Sequence, residues 1–266
     1  MPKINFYIPL EIRFFSASLK RMTHTITTSL LIGAAMLATA GHAAAQPTPS
    51  HEGTHPTAGQ AVGRISITNL SNQTLAPIVV ATHRPGVTPI FVPGKAASNE
   101  LATLAETGSP QALEVMLRND PSVLFATHLA GTATVIPPGA TVSGDFVFDY
   151  GHTAVSVASM LVSTNDAFVA YSGAKIPTVG THTYLAHAWD AGSEANTEAC
   201  TDLPGPPCSE DSGNARVTEG AEGIVLIHRG IHGTGDVTPS RYDWRGPVVM
   251  ITVSGIDHGT AHHHHH

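Results

Sequence analysis

This chain is poor in basic residues and in cysteine, and it has no long hydrophobic run beyond its N-terminal region. Lysine and arginine number 13 against 20 aspartates and glutamates, so the net charge is −7 with histidine neutral. After residue 45 only Lys95 and Lys175 remain as lysines. Because an acidic surface repels polyanions and no basic patch is available, the composition excludes a nucleic-acid-binding function.

Signatures of common enzyme classes are missing as well. The chain contains no Gly-x-Ser-x-Gly, no His-Glu-x-x-His, no phosphate-binding loop and no dinucleotide-binding fingerprint. A dispersed Ser-His-Asp triad has no sequence pattern of its own, and an abundance of these residue types does not indicate one. We therefore expect a protein that is not an enzyme.

The N-terminal region has the three parts of a secretory signal peptide. Lys20 and Arg21 precede an apolar run at residues 30–38, and the small residues 43–45 offer a cleavage site. We expect a signal peptide over residues 1–45, with a possible true start at Met22; an uncleaved membrane anchor is the alternative. Without this segment, nine lysines and arginines face nineteen acids, a net charge near −10. The predicted location is periplasmic or secreted.

The rest of the chain divides into three parts. Residues 46–61 are rich in Pro, Thr, Ser and Gly and predict a flexible linker. Residues 62–257 are long enough for one domain with a proper core. Residues 258–266 form a histidine-rich tail whose final five histidines fit either a purification tag or a native metal-gathering segment.

The pattern of apolar residues in the domain predicts an all-β sandwich with a short helical insertion. Segments 96–106 and 109–118 carry the helical signal, with Ser109 as N-cap and Pro110 in the first helical position. No transmembrane segment follows the signal peptide. Nine short segments are typical of strands separated by turn residues: 64–70, 75–82, 132–136, 141–148, 155–162, 168–171, 182–188, 223–228 and 248–253.

The chain's two cysteines, Cys200 and Cys208, are eight positions apart. In an exported protein this pair predicts a disulfide that closes the loop after Glu194. A pair of thiolate ligands for a soft metal is the competing interpretation.

An acidic turn at residues 188–194 is the most informative feature. Asp190 and Glu194 enclose Ala-Gly-Ser, where the backbone can curl so that two carboxylates and intervening carbonyls converge on a hard cation, and Asp166 could supply a third carboxylate. Spacing alone is more typical of a solvated acidic loop than of a cation site. Asn196 and Glu198 extend the loop and are weaker candidate ligands.

Four stretches of the chain resemble the spondin N-terminal domain, in a bacterial stand-alone form. The resemblance covers nearly all of the folded part, and the aromatic-Asp-Ala-Gly-small-acid motif is its most diagnostic element. The stretches are residues 75–83 (LAPIVVATH), 163–168 (STNDAF), 189–194 (WDAGSE) and 228–233 (HRGIHG).

The resemblance implies a C2-like antiparallel β-sandwich with a calcium ion at one end, held by Asp166, Asp190 and Glu194. It also implies a recognition or adhesion role toward an extracellular or periplasmic protein or carbohydrate. This chain departs from the family pattern where Asn165 replaces a proline, where Ala167 separates Asp166 from the aromatic residue, and where Glu194 replaces the commoner aspartate. Because calcium accepts varied carboxylate positions, these changes bear on affinity without removing a ligand.

Histidine suggests an alternative function. The chain has 17 histidines, and His83, His228 and His232 could form a copper or zinc site in a periplasmic metal-binding protein. His228 and His232 flank Arg-Gly-Ile, which is typical of a strand end entering a turn, so the helical zinc motif does not apply. A lone histidine is more often a hydrogen-bonded structural residue.

Overall fold

Antiparallel strands dominate the part of the chain that the computed structural model describes, which is residues 56–131, 134–209 and 215–255. The predicted signal peptide with Met22, most of the predicted linker and the histidine-rich tail lie outside these residues. The strands are β1 (Ala61–Asn69), β2 (Ile78–His83), β3 (Val123–Leu129), β4 (Thr141–Phe148), β5 (Ala154–Met160), β6 (Ala167–Lys175), β7 (Thr181–Asp190), β8 (Leu226–Ile227) and β9 (Val249–Gly255). The helices are α1 (Asn99–Thr107), α2 (Gln111–Arg118) and α3 (Pro239–Tyr242).

The strands follow the order β3-β2-β5-β6-β7-β9-β1-β4, with β8 paired to β7. The edge strands β3 and β4 approach each other, and Gly144 of β4 lies against the side chain of Leu129 of β3. The sheet is therefore nearly closed on itself. The ten-residue β7 joins its two halves, because its first part pairs with β9 and its second part pairs with β6.

The main core lies between the two halves of the sheet. In β1, Ile65 and Ile67 are buried and alternate with more exposed residues, as the two-residue period of a strand requires. On the neighbouring strand β9, Ile251 and Val253 are fully buried beside them, and Phe146 of β4 fills the space over Gly63. Burial of these large side chains is the principal stabilising contribution to the sandwich.

A second core lies on the outer face of the β2-β5-β6 half, beneath α1 and α2. Leu101 and Leu104 of α1 and Leu113 of α2 are buried there against Phe168 and Val79. The Ser98 side chain accepts a hydrogen bond from the Leu101 N–H, so α1 begins with a side-chain cap. The predicted helical insertion is confirmed, but the predicted cap of α2 is wrong: Pro110, not Ser109, is the N-cap residue, and no side chain caps this helix.

The all-β prediction is confirmed, and most strands lie where the pattern placed them. The segment predicted at 132–136 is not a named strand: residues 132 and 133 lie outside the described residues, and Ile136 forms only an isolated bridge with Leu75. The segment predicted at 223–228 is reduced to β8. Neither β3 nor α3 was predicted. β3 is an edge strand that is half-buried along most of its length, so it shows no alternation of buried and exposed residues.

The predicted disulfide is confirmed, since Cys200 and Cys208 are bonded to each other. Beside it, a small third core of Leu203, Ile231, Val237 and Tyr242 lies beneath the long segment that connects β7 to β9. Among the described residues, no helix has both the length and the apolar character needed to cross a membrane.

Candidate cation site at the ends of β6 and β7

Strand pairing brings the two predicted aspartates together. Ala167, the first residue of β6, pairs with Asp190, the last residue of β7, and Asp166 immediately precedes β6. The turn before β6 is closed by Thr164, whose hydroxyl donates to the Leu161 carbonyl and accepts from the Ala167 N–H. The 24-residue interval between the two aspartates is therefore spanned by one antiparallel hairpin.

The acidic loop after β7 is fixed by these same carboxylates. Asp190 Oδ1 accepts the Gly192 N–H at 2.7 Å. Asp166 Oδ2 accepts the N–H groups of Ser193 at 2.7 Å and Glu194 at 3.0 Å. The loop thus wraps around the Asp166 carboxylate and leaves Oδ1 of that carboxylate without a donor.

All three carboxylates are buried. Relative exposure is 0% for Asp166, 2% for Asp190 and 4% for Glu194, and Asp166 Oδ1 is the single buried side-chain polar atom of the described residues that has no hydrogen-bond partner. A buried polar atom without a partner carries a large free-energy cost, so native structures rarely contain one without a functional reason.

Electrostatics in the cluster are unfavourable for three anions. Burial raises the pKa of Asp166 to about 7, with the neighbouring Asp190 carboxylate adding to the rise against the opposing N–H groups of Glu194 and Ser193. Burial likewise raises the pKa of Asp190, against the hydrogen bonds from Asn196 and Gly192. A bound cation would remove both the repulsion and the unsatisfied oxygen.

Glu194 lies next to another acid that the sequence analysis did not identify. Burial raises the pKa of Glu194 to about 7, with Glu106 of α1 contributing next and Asp166 after it, while Arg216 opposes the rise. Glu106 is held by Arg216, whose Nη2 lies 2.9 Å from Glu106 Oε1. Because 88 positions separate Glu106 from Glu194, no local motif could have revealed the pair.

The donor set suits a hard cation, but it is not closed. No group of three or more His, Cys, Asp and Glu side chains within the described ranges is arranged to hold a metal ion by itself. Calcium takes six to eight oxygen ligands, including main-chain carbonyls and water, so a set of two or three carboxylates is compatible with it when other oxygens complete the shell. Asp166, Asp190 and Glu194 offer oxygen atoms only, which is the ligand type that calcium takes.

The two weaker candidates have other partners. Asn196 Nδ2 donates to Asp190 Oδ2 at 2.7 Å, so its amide nitrogen, not its oxygen, is directed toward the acidic cluster. Glu198 is buried, and its carboxylate accepts the N–H groups of three consecutive residues, His232, Gly233 and Thr234, at 2.6 to 2.9 Å. Asn196 supports Asp190, and Glu198 joins two loops.

The three histidines of the alternative metal site are not brought together. His83 pairs with Ala154 at one end of β5, whereas Met160 at the other end pairs with Phe168 near the acidic cluster. Six residues of strand separate these ends, which is about 20 Å. His83 is instead buried, with its ring nitrogens 2.7 Å from the Ser156 hydroxyl and 2.9 Å from the Arg84 carbonyl.

His228 and His232 lie beside the acidic cluster without forming a metal site. His228 Nδ1 accepts the Gly230 N–H, so its Nε2 carries the proton that is donated to Asn196 Oδ1 at 3.1 Å. Burial lowers the pKa of His228 to about 4, and His232 contributes in the same direction. A neutral His228 therefore fixes Asn196, which in turn donates to Asp190.

Sequence reasoning also missed the residues that connect the acidic loop to the turn before β6. Asn165 Oδ1 accepts the Glu198 N–H and its Nδ2 donates to the Thr197 hydroxyl, which donates to Asp202 Oδ2. The sequence offered one local indication of this connection: Asn165 precedes Asp166 at a position where the family that the sequence resembles has proline.

Neither a protein-family model nor a curated protein matches this chain.

Proposed function

We propose that this protein is an exported calcium-binding β-sandwich of spondin type that acts as a recognition or adhesion module. The observation that carries the proposal is Asp166 Oδ1, a fully buried carboxylate oxygen with no partner among the described residues, next to a second buried aspartate. Its neighbours Asp190 and Glu194 belong to the motif on which the spondin resemblance rests. The predicted signal peptide supports export, since calcium is abundant outside the cytoplasm.

Asp166, Asp190 and Glu194 would hold the ion, with main-chain oxygens and water completing the shell. Calcium would neutralise charges that are mutually repulsive in its absence. The protein groups then have clear separate roles: the N–H groups of Ser193 and Glu194 orient Asp166, and Asn196 orients Asp190.

The ion would connect several loops, and this favours a binding role over catalysis. The acidic loop is hydrogen-bonded to the turn before β6 through Asp166 and Asn165, and to the 232–234 loop through Glu198. An ion at this point stabilises three loops at one end of a sandwich. Loops held by a rigid scaffold are the usual carriers of recognition.

The test is a calcium titration followed by thermal unfolding. Calcium at about a hundred times its dissociation constant is expected to stabilise the native state by about 2.7 kcal/mol, because it binds only the folded form. Asp166→Asn is expected to lose this response, while its stability in chelator at pH 8 equals or exceeds that of the wild type because one buried charge is gone. Magnesium and zinc at the same concentrations serve as competing ions.

Glu114→Gln is the matched control. Glu114 is also buried, but it lies on α2 and is ion-paired with Arg118 and His128. Its replacement is expected to lower stability and to leave the calcium-induced shift intact. A wild-type melting temperature that does not change with calcium would refute the proposal.

A further inference from the structure

Two adjoining cavities open on the outer face of β7. The first has a volume of about 300 Å³ and is lined by Phe91, Leu185 and Trp189. The second has a volume of about 250 Å³ and is lined by Arg229 and Trp244. His187 of β7 lines both cavities, so they adjoin along this strand, and we refer to the two together as the groove.

The groove offers hydrogen-bond donors and positive charge. No aspartate or glutamate from the described ranges lines either cavity, although Arg229 also borders a third cavity that Asp190 and Glu222 line. Arg229 is exposed, and neither it nor the indole N–H of Trp189 or Trp244 has a hydrogen-bond or ion-pair partner among the described residues. Arg245 adds a second guanidinium, which is 92% exposed and contacts Asp243. Such a lining complements a ligand that is rich in acceptors and negatively charged.

Part of the lining is apolar. The half-buried Trp189 packs against Phe91 with ring centroids 5.0 Å apart, and the half-buried Trp244 packs against His228 with ring centroids 5.2 Å apart. Leu185, 49% exposed, lies on the same strand face as Trp189. Exposed apolar side chains that flank free polar donors indicate a binding site for an amphipathic ligand.

Main-chain recognition of a peptide is disfavoured at this place. An extended peptide binds most readily by adding a strand to a free sheet edge. Residues Thr181 to Ala186 of β7 pair with β9. The second half of β7 pairs with β6 (Ala167 to Ala170) on one side and with β8 on the other. A peptide therefore cannot bind here by pairing with β7.

We infer that this groove binds an acidic carbohydrate, a chain of uronic acid residues. The apolar C–H faces of sugar rings would pack on the aromatic and aliphatic side chains, and the carboxylates would be bound by Arg229. Hydroxyl and ring oxygens would accept from the indole N–H groups. The two adjoining cavities would each take one or more rings of the same chain. This inference rests on the recognition role proposed above and not on the calcium ion.

The chain carries its own reporter for this test. It contains two tryptophans, Trp189 and Trp244, and one lines each cavity. Titration with a galacturonic acid hexamer at constant free calcium is expected to change the tryptophan emission saturably. A neutral glucose hexamer of similar length is expected to produce no change.

Two variants locate the site. Arg229→Ala is expected to weaken binding of the acidic hexamer at least tenfold. Arg64→Ala, which removes an exposed arginine of β1 that is ion-paired with Asp145, is expected to bind like the wild type. Both variants should retain the wild-type melting temperature, which confirms that they are folded.

Three results would overturn the inference: emission that does not respond to the acidic hexamer, equal binding of the neutral hexamer, or an Arg229→Ala variant that binds like the wild type. A glutamate polymer of equal charge that binds as tightly would also overturn it, because charge alone would then account for binding. Repeating the titration with Asp166→Asn separates this inference from the calcium proposal. Glycan binding in a protein without a calcium response would refute the calcium site and leave the groove in place.

Discussion

Gly192 determines the shape of the acidic loop. Its φ is +64°, in the left-handed region that favours glycine. A Cβ at this position would lie 2.3 Å from the Ile224 carbonyl oxygen, so a side chain would displace main chain. This residue allows Ser193 and Glu194 to direct their N–H groups at Asp166.

We expect Gly192→Ala to lower the free energy of unfolding by about 2 kcal/mol or more, because it combines backbone strain with a main-chain clash. Gly139→Ala is the control: Gly139 has a φ of +76°, and a Cβ there would meet nothing within 4 Å. Urea denaturation of both variants separates the two effects. Equal losses would show that the contact with Ile224 is unimportant.

His83 is the residue that should make the sandwich sensitive to acid. Burial lowers its pKa, against the hydrogen bond to the Arg84 carbonyl and the nearby Asp120. Because the unfolded chain binds a proton more readily, this contribution to stability is full above pH 6.5 and is lost as the pH falls toward the folded-state pKa.

We therefore expect the stability difference between wild type and His83→Gln to shrink as the pH falls below 6.5. Urea denaturation at half-unit intervals between pH 4 and 7 measures it. The same substitution at the exposed His182 serves as the control. A constant difference for His83 would contradict the argument.

At the scale of elements, Glu198 connects the acidic loop to the loop at residues 232–234. Its φ is +54°, unusual for a residue with a side chain, and its carboxylate accepts three main-chain N–H groups. Its carbonyl also accepts the Asp236 N–H at 2.7 Å. One buried carboxylate thus satisfies the hydrogen-bond donors of the main chain in a loop that has no regular structure.

Glu198→Gln is expected to destabilise the protein by about 3 kcal/mol, because an amide offers one acceptor oxygen where the carboxylate has two and its NH₂ opposes main-chain donors. The 232–234 loop should then exchange its amide hydrogens faster and be cleaved sooner by protease. Hydrogen exchange resolved by residue measures this, with Glu222→Gln as an exposed control. Unchanged protection at Gly233 would exclude the connection.

The elements differ in how readily the sequence predicts them. β7 was predictable because it contains strand-forming Thr, Tyr and Trp residues and short apolar runs, and its pairing through Ala167 and Asp190 brings the two aspartates together. β3 was not predictable, since an edge strand that is partly buried on both faces leaves no two-residue period. Contacts such as Glu198 with His232 depend on tertiary packing, which no local pattern records.

For the whole molecule, charge sets the response to pH. The net charge is −7, and two buried carboxylates, Asp166 and Glu194, have pKa values of about 7. A raised folded-state pKa means that the native state binds more protons than the unfolded chain. Without calcium, this contribution is therefore present near pH 4 and is lost as the pH rises through 7.

We expect the unfolding free energy in chelator to decrease between pH 5 and pH 8 more steeply than in calcium, which would replace the protons as the neutralising charge. Calorimetry at fixed ionic strength with and without calcium measures the two slopes. In Asp166→Asn the slope in chelator should be smaller. Parallel slopes in the wild type would show that these carboxylates do not bind calcium.

β7 also separates two kinds of sequence change. Its even-numbered residues Ala186, Ala188 and Asp190 are buried, whereas Leu185 and His187 are exposed on the opposite face. Substitutions at Leu185 and His187 can thus alter the groove and leave core packing unchanged, so the lining of the groove can diversify without loss of the fold. Insertion of a single residue into β7 would exchange the two faces and would disrupt the groove and the core packing together.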